Sequence, residues 1–117
     1  MLRFTLFSTK HKEPVLLPNE GNVNQVFEQE IDGYDAHRCG LLAHAGHGVM
    51  LIVDVNCETG GLPFNRAWEL YAHQGQLASA IQLFRGPVIM ACRGSLADNR
   101  DNVEQLFLEK IVTAKKV

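Results

Sequence analysis

Val49-Met50-Leu51-Ile52-Val53 is an unbroken apolar run, closed by Asp54-Val55-Asn56-Cys57-Glu58-Thr59-Gly60-Gly61. Its counterpart is Pro87-Val88-Ile89-Met90-Ala91, closed by Cys92-Arg93-Gly94-Ser95. Short runs rich in β-branched residues and bounded by turn formers read as strands buried on both faces. A strand with one face in water alternates, and neither of these does. Continuous runs are the habit of parallel sheets covered by helices on both sides. Strands over 49–54 and 87–92 are therefore expected to lie adjacent and parallel in the centre of one sheet.

The flanking segments supply the covering helices. Asn22 reads as an N-cap, followed by Val23, Val26, Phe27 and Ile31 at helical spacing, with Gly33 as a stop. Ala36, Leu41, Leu42, Ala43 and Ala45 are read as a short helix ending at Gly46, with a strand as the alternative. Pro63 suits a first helical turn, with Phe64, Trp68 and Tyr71 on one face. Gly75 interrupts, and Leu77, Ala80, Ile81 and Phe84 resume the pattern until Arg85-Gly86-Pro87. A last helix is capped by Asp101 and carries Val103, Leu106, Phe107 and Ile111.

At the N-terminus, Leu2, Phe4 and Leu6 alternate with Arg3 and Thr5, the pattern of a half-buried strand. Val15-Leu16-Leu17 forms a second short run, a hairpin partner or a loop anchor. Pro14 and Pro18 limit it to an edge. Buried strands alternating with helices imply right-handed parallel crossovers. The fold expected is a single α/β domain over 1–117, a three-layer, flavodoxin-like sandwich with a small, mainly parallel sheet of about four strands. The alternative is a two-layer α+β form with the N-terminal hairpin antiparallel.

Composition narrows the function classes. The 117 residues are 46% hydrophobic and 21% charged, as in an ordinary globular domain. A net charge of −2 argues against nucleic acid or an anionic membrane as partner. The start of the chain does not read as a signal peptide, and no apolar stretch approaches a membrane span. Three cysteines without CxxC spacing favour reduced thiols and a cytoplasmic setting.

No motif fixes a reaction. In open α/β sheets ligands gather beyond the carboxyl ends of the strands. Asp54 and Cys92 are accordingly the catalytic candidates, with Asn56, Cys57, Glu58, Arg93 and Ser95 as candidate ligand-binding residues. Asp54 suits a metal, a phosphoryl group or a proton, or else caps its own turn. Cys92 is expected to be the most reactive thiol, its pKa lowered by Arg93 and by the N-terminus of the following helix. Cys57 stands beside Asp54 and Glu58, which disfavour a thiolate. His37, Cys39, His44 and His47 cluster soft ligands, but no second paired motif completes a zinc set. No metal and no cofactor are expected. Gly60-Gly61 and Gly94-Ser95 match no phosphate-binding pattern.

Glu13-Pro14-Val15-Leu16-Leu17-Pro18-Asn19-Glu20, Val53-Asp54, Pro87-Val88-Ile89-Met90 and Thr113-Ala114-Lys115 resemble a response-regulator receiver domain. That resemblance implies Asp54 as phosphoacceptor, Lys115 as phosphate partner and Asn19-Glu20 in place of the acidic metal-binding pair. The spacing departs from the family: 20 to 54 is short, 54 to 87 is long, and Cys92 stands where Thr or Ser belongs. Leu41–Val55 with Ile89-Met90-Ala91-Cys92 is similar to a small sulfur-relay family, which implies a persulfide on Cys92. The N-terminal third does not fit that family. The two likenesses contradict one another and share only a flavodoxin-like architecture. The function expected is a binding or regulatory module acting through a protein partner, a small ligand or a homodimer surface near the strand ends. The alternative is a thiol- or carboxylate-based carrier enzyme using Cys92 or Asp54.

Overall fold

The computed structural model describes residues 2–18, 23–31, 41–54, 63–74 and 86–107. Along them lie β1 (Leu2–Phe7), β2 (Val15–Leu16), α1 (Val23–Glu30), β3 (Leu41–Gly46), β4 (Val49–Asp54), α2 (Arg66–Gln74), β5 (Val88–Arg93) and α3 (Arg100–Leu106). A 3-10 turn at Ala97–Asn99 leads into α3. The strands form one sheet in the order β2-β1-β5-β4-β3, and every neighbouring pair is antiparallel.

β4 and β5 are neighbours, as expected. Their direction is not: Val49 pairs with Cys92 and Val53 with Val88. The mainly parallel, flavodoxin-like sandwich is thereby overturned, together with the architecture that the two family resemblances share. The two-layer α+β alternative, which makes only the N-terminal hairpin antiparallel, is compatible with the structure. The physical reason lies in what continuous apolar runs report, which is cover on both faces and not strand direction. Val49, Leu51 and Val53 of β4 and Val88, Met90 and Cys92 of β5 pack with residues of α2 and α3 in one cluster. Ile52 and Ile89 pack instead with Phe27 of α1, with Met50 against them. Side chains alternate along a strand, so these clusters sit on opposite faces of the sheet. Helices cover both faces of an antiparallel sheet here, and no parallel crossover is needed to do it.

The second correction concerns 35–46, read from sequence as a short helix. Residues 35–40 lie outside the described residues, but 41–46 are β3, paired residue for residue with β4. Gly46 faces Val49, leaving His47-Gly48 as a two-residue turn with φ of 52° and 78°. Two positive φ values in succession make a type I′ turn, whose twist matches that of the flanking strands. The glycine is needed at Gly48 for its backbone alone, because a Cβ there would meet nothing within 4 Å. The glycines that resemble a helix stop are the punctuation of a hairpin.

Other elements follow the sequence closely. β1 and β2 form the antiparallel N-terminal hairpin, and β2 between its prolines is an edge strand. On α1, Phe27 is fully buried, with Val23, Val26 and Ile31 packed around the same cluster. Val103, Leu106 and Phe107 are buried as the stripe of α3 predicts, while Ile111 lies outside the described residues. α2 begins later than Pro63 suggests. Asn65 Oδ1 accepts from the backbone N–H of Trp68 at 2.9 Å, so Asn65 is the N-cap and Phe64 stays outside, exposed. Gly33, Gly75 and the segment 77–84 lie outside the described residues. Among the described residues, no helix is long and apolar enough to cross a membrane.

Candidate functional site

Antiparallel pairing separates the residues that the sequence places together. Asp54 ends β4 at the edge where β5 begins, and Cys92-Arg93 ends β5 at the opposite edge. Five residue steps along the strand, about 17 Å of backbone, separate the two positions. Asp54 pairs with Leu41 across the hairpin. Asn56, Cys57, Glu58, Cys39 and His37 lie outside the described residues, as do Asn19, Glu20 and Lys115. His44 and His47 fall on β3 and its turn. Among the described residues no three His, Cys, Asp or Glu side chains gather in a metal-holding group.

Cys92 stands inside β5, 1% exposed, in the cluster beneath α2 and α3. Burial pushes its thiol up, against a smaller opposite pull from Arg3, its cross-strand neighbour. The expected lowering is therefore corrected. Arg93 does not supply it, since alternation along β5 turns Arg93 to the other face of the sheet. Cys92 in the native protein should resist alkylation by iodoacetamide at neutral pH and label fully once denatured, as read by peptide mapping. Rapid labelling of the native thiol would contradict the packing described here.

Arg93, Ser95 and the start of α3 form one knot of hydrogen bonds. Gly94, at a φ of 82°, turns the chain out of β5. Asn99, only 5% exposed, donates through Nδ2 to the carbonyls of Arg93 at 2.7 Å and Ser95 at 2.8 Å. Its Oδ1 accepts from Asn102 Nδ2 at 3.0 Å. Ser95 Oγ accepts from the backbone N–H of Asp98 at 3.0 Å, starting the helical turn ahead of Asp101, the residue that sequence suggests as cap. The turn carries Arg93 and Ser95 exposed at the surface while holding their carbonyls rigidly.

That knot also borders a concavity. An open cleft of about 520 Å³ is lined by Lys12, Glu13 and Pro14 of the β1–β2 loop, by Ala67, Leu70 and Tyr71 of α2, and by Leu96, Ala97 and Arg100. Its volume lies within the usual ligand-site range of roughly 300–1,000 Å³. Tyr71 is 5% exposed and donates its hydroxyl to the Leu96 carbonyl at 2.8 Å, tying α2 to the turn before α3. The Arg100 guanidinium sits 5.1 Å from the centroid of the Tyr71 ring. Burial pushes the Tyr71 phenol far above its ordinary range, against the opposing pull of Arg100. Tyr71 is therefore a neutral donor, already engaged, and not a base.

Sequence reasoning missed this site. It weighs Tyr71, with Trp68 and Phe84, as a pocket residue but favours a core role, and it notes Arg100 only as a cation near Cys92 in sequence. Lys12, Tyr71 and Arg100 come together only because the β1–β2 loop and α3 meet at the same flank of α2. No protein family, curated protein or solved structure matches the chain significantly.

Proposed function

We propose that the protein is a small ligand-binding module, and that its ligand is a compact molecule with an apolar body and an anionic group, seated in the cleft beside Tyr71. The observation that carries this reading is the placement of Arg100 over the Tyr71 ring in a cleft that Lys12 also lines. Pro14, Ala67, Leu70, Leu96 and Ala97 supply apolar walls, which favour a ligand that is more than an inorganic ion. A guanidinium carries five donors in a fixed fork, a geometry that suits a carboxylate or phosphate. Glu13 adds one carboxylate to the lining and disfavours a polyanion. Recognition and not turnover is the chemistry that this lining supports, because its tyrosine is held neutral and its charged groups are binding groups.

Calorimetric titration with a panel of small aliphatic and aromatic carboxylates and organic phosphates tests the reading. A compound that binds should lose about tenfold or more in affinity in Arg100→Gln and in Lys12→Gln. Its affinity should also fall as salt is raised. The melting temperature of Lys12→Gln should stay close to the parent value, since Lys12 is exposed and an exposed cation contributes little to stability. Arg100→Gln also gives up the contact with the Tyr71 ring and should melt somewhat lower. Binding that is indifferent to both substitutions would remove the cleft from consideration.

A further inference from the structure

The two edges of the sheet are treated differently by the sequence. The β2 edge is blunted: the strand is two residues long, Pro14 and Pro18 flank it, and Lys12 and Glu13 precede it. Short strands, prolines and charges are the means by which proteins discourage pairing at an edge. β3, at the other edge, has none of them. Leu41-Leu42-Ala43-His44-Ala45-Gly46 is six residues long, carries no proline and no Asp, Glu, Lys or Arg, and keeps unbroken register with β4. Among the described residues nothing pairs with its outer side.

The hairpin fixes which backbone groups face outward. In a two-residue turn the flanking pair, Gly46 and Val49, exchanges hydrogen bonds, and hydrogen-bonded pairs then alternate up the ladder. Gly46, His44 and Leu42 point their N–H and C=O groups at β4. Leu41, Ala43 and Ala45 point theirs away from it. Ala43 and Ala45 are exposed as well, so small side chains flank the outward row of donors and acceptors.

We propose that this edge pairs antiparallel with β3 of a second copy of the chain, continuing the sheet across a two-fold axis. Antiparallel pairing of a strand with itself is self-complementary, as a two-fold interface requires. A register centred on Ala43 sets Ala43 opposite itself, Leu41 opposite Ala45 and His44 opposite Leu42. Every outward N–H and C=O of the three residues then has a partner, and no like charges meet. An uncharged strand is a better match for itself than for a charged partner segment. The proposal stands apart from the cleft, which includes the β1–β2 loop near the opposite edge.

Sedimentation equilibrium of the full chain tests it, with Ala43→Pro and Ala45→Lys as variants. Proline at position 43 removes an outward N–H without removing a bond to β4, and lysine at position 45 places a charge on an exposed edge site. The parent protein should show a reversible monomer–dimer equilibrium, and each variant should weaken it by at least about tenfold with an unchanged far-UV spectrum. Should Ala43→Pro fail to fold, Ala45→Lys decides alone. A parent protein that stays monomeric up to its solubility limit overturns the proposal, as does a dimer that both variants leave intact. Amides of Ala43 and Ala45 that stay protected from exchange in protein shown to be monomeric would show the edge covered by its own chain, and also overturn it.

Discussion

Asn65→Ala is expected to lower the stability of the protein by roughly 3 kcal/mol, a large effect for a residue without an apolar surface to bury. Asn65 is 2% exposed and serves three backbone groups at once. Its Oδ1 caps α2 through the Trp68 N–H, while Nδ2 donates to the Phe7 carbonyl at 2.6 Å and the Gly86 carbonyl at 2.9 Å. The end of β1, the approach to β5 and the start of α2 are thus held by one amide. Alanine leaves all three groups unsatisfied in the interior, at about 1–3 kcal/mol for each group left without a partner, less whatever water recovers. Ionised Asn65→Asp retains the capping oxygen but has no donor for either carbonyl, so it should not restore stability. Urea unfolding of the three proteins measures this; an alanine variant within about 0.5 kcal/mol of the parent would contradict the assignment.

Trp68→Ala is expected to cost about 4 kcal/mol, the upper part of the range for large-to-small changes in a core. Trp68 is fully buried and lies edge-on to Phe7 at 5.2 Å, with Tyr71 at 5.5 Å and Phe107 at 6.2 Å. It therefore joins β1, α2 and the end of α3 in a single contact set. A domain of this size has only about 5–15 kcal/mol to lose, so the variant should be visibly less cooperative or largely unfolded at 37 °C. The milder Trp68→Phe, which keeps an aromatic ring in the site, should retain most of the stability. If Trp68→Ala melts within a few degrees of the parent, the aromatic cluster is not the centre of this face of the core.

These residues also show what the sequence conveyed and what it left out. The strands over 49–54 and 87–92 and their adjacency were legible from their apolar runs, as were the N-terminal hairpin and the stripes of α1 and α3. Strand direction was not. Residues such as Ile52 and Ile89 are buried because α1 covers a second face, and burial on two faces carries no record of polarity. β3 was obscured because Ala43, Ala45 and Gly46 have little strand propensity; the His47-Gly48 turn and pairing with β4 override it. The candidate site suffered most, since its logic depended on strand polarity. Reversing one strand sends Asp54 and Cys92 to opposite ends of the sheet. Tyr71 and Arg100 then meet through tertiary packing that no local spacing encodes.

The central claim is that the cleft beside Tyr71 is where this protein binds its ligand. Amide chemical-shift mapping during titration with a small carboxylate or organic phosphate tests it most directly. The account predicts that the perturbed amides cluster at Lys12 and Glu13, along Ala67–Tyr71, and at Leu96–Arg100, and that Arg100→Gln suppresses the response. Saturable shifts confined to β3, or to the Asp54 end of β4, with these three segments silent, would contradict it.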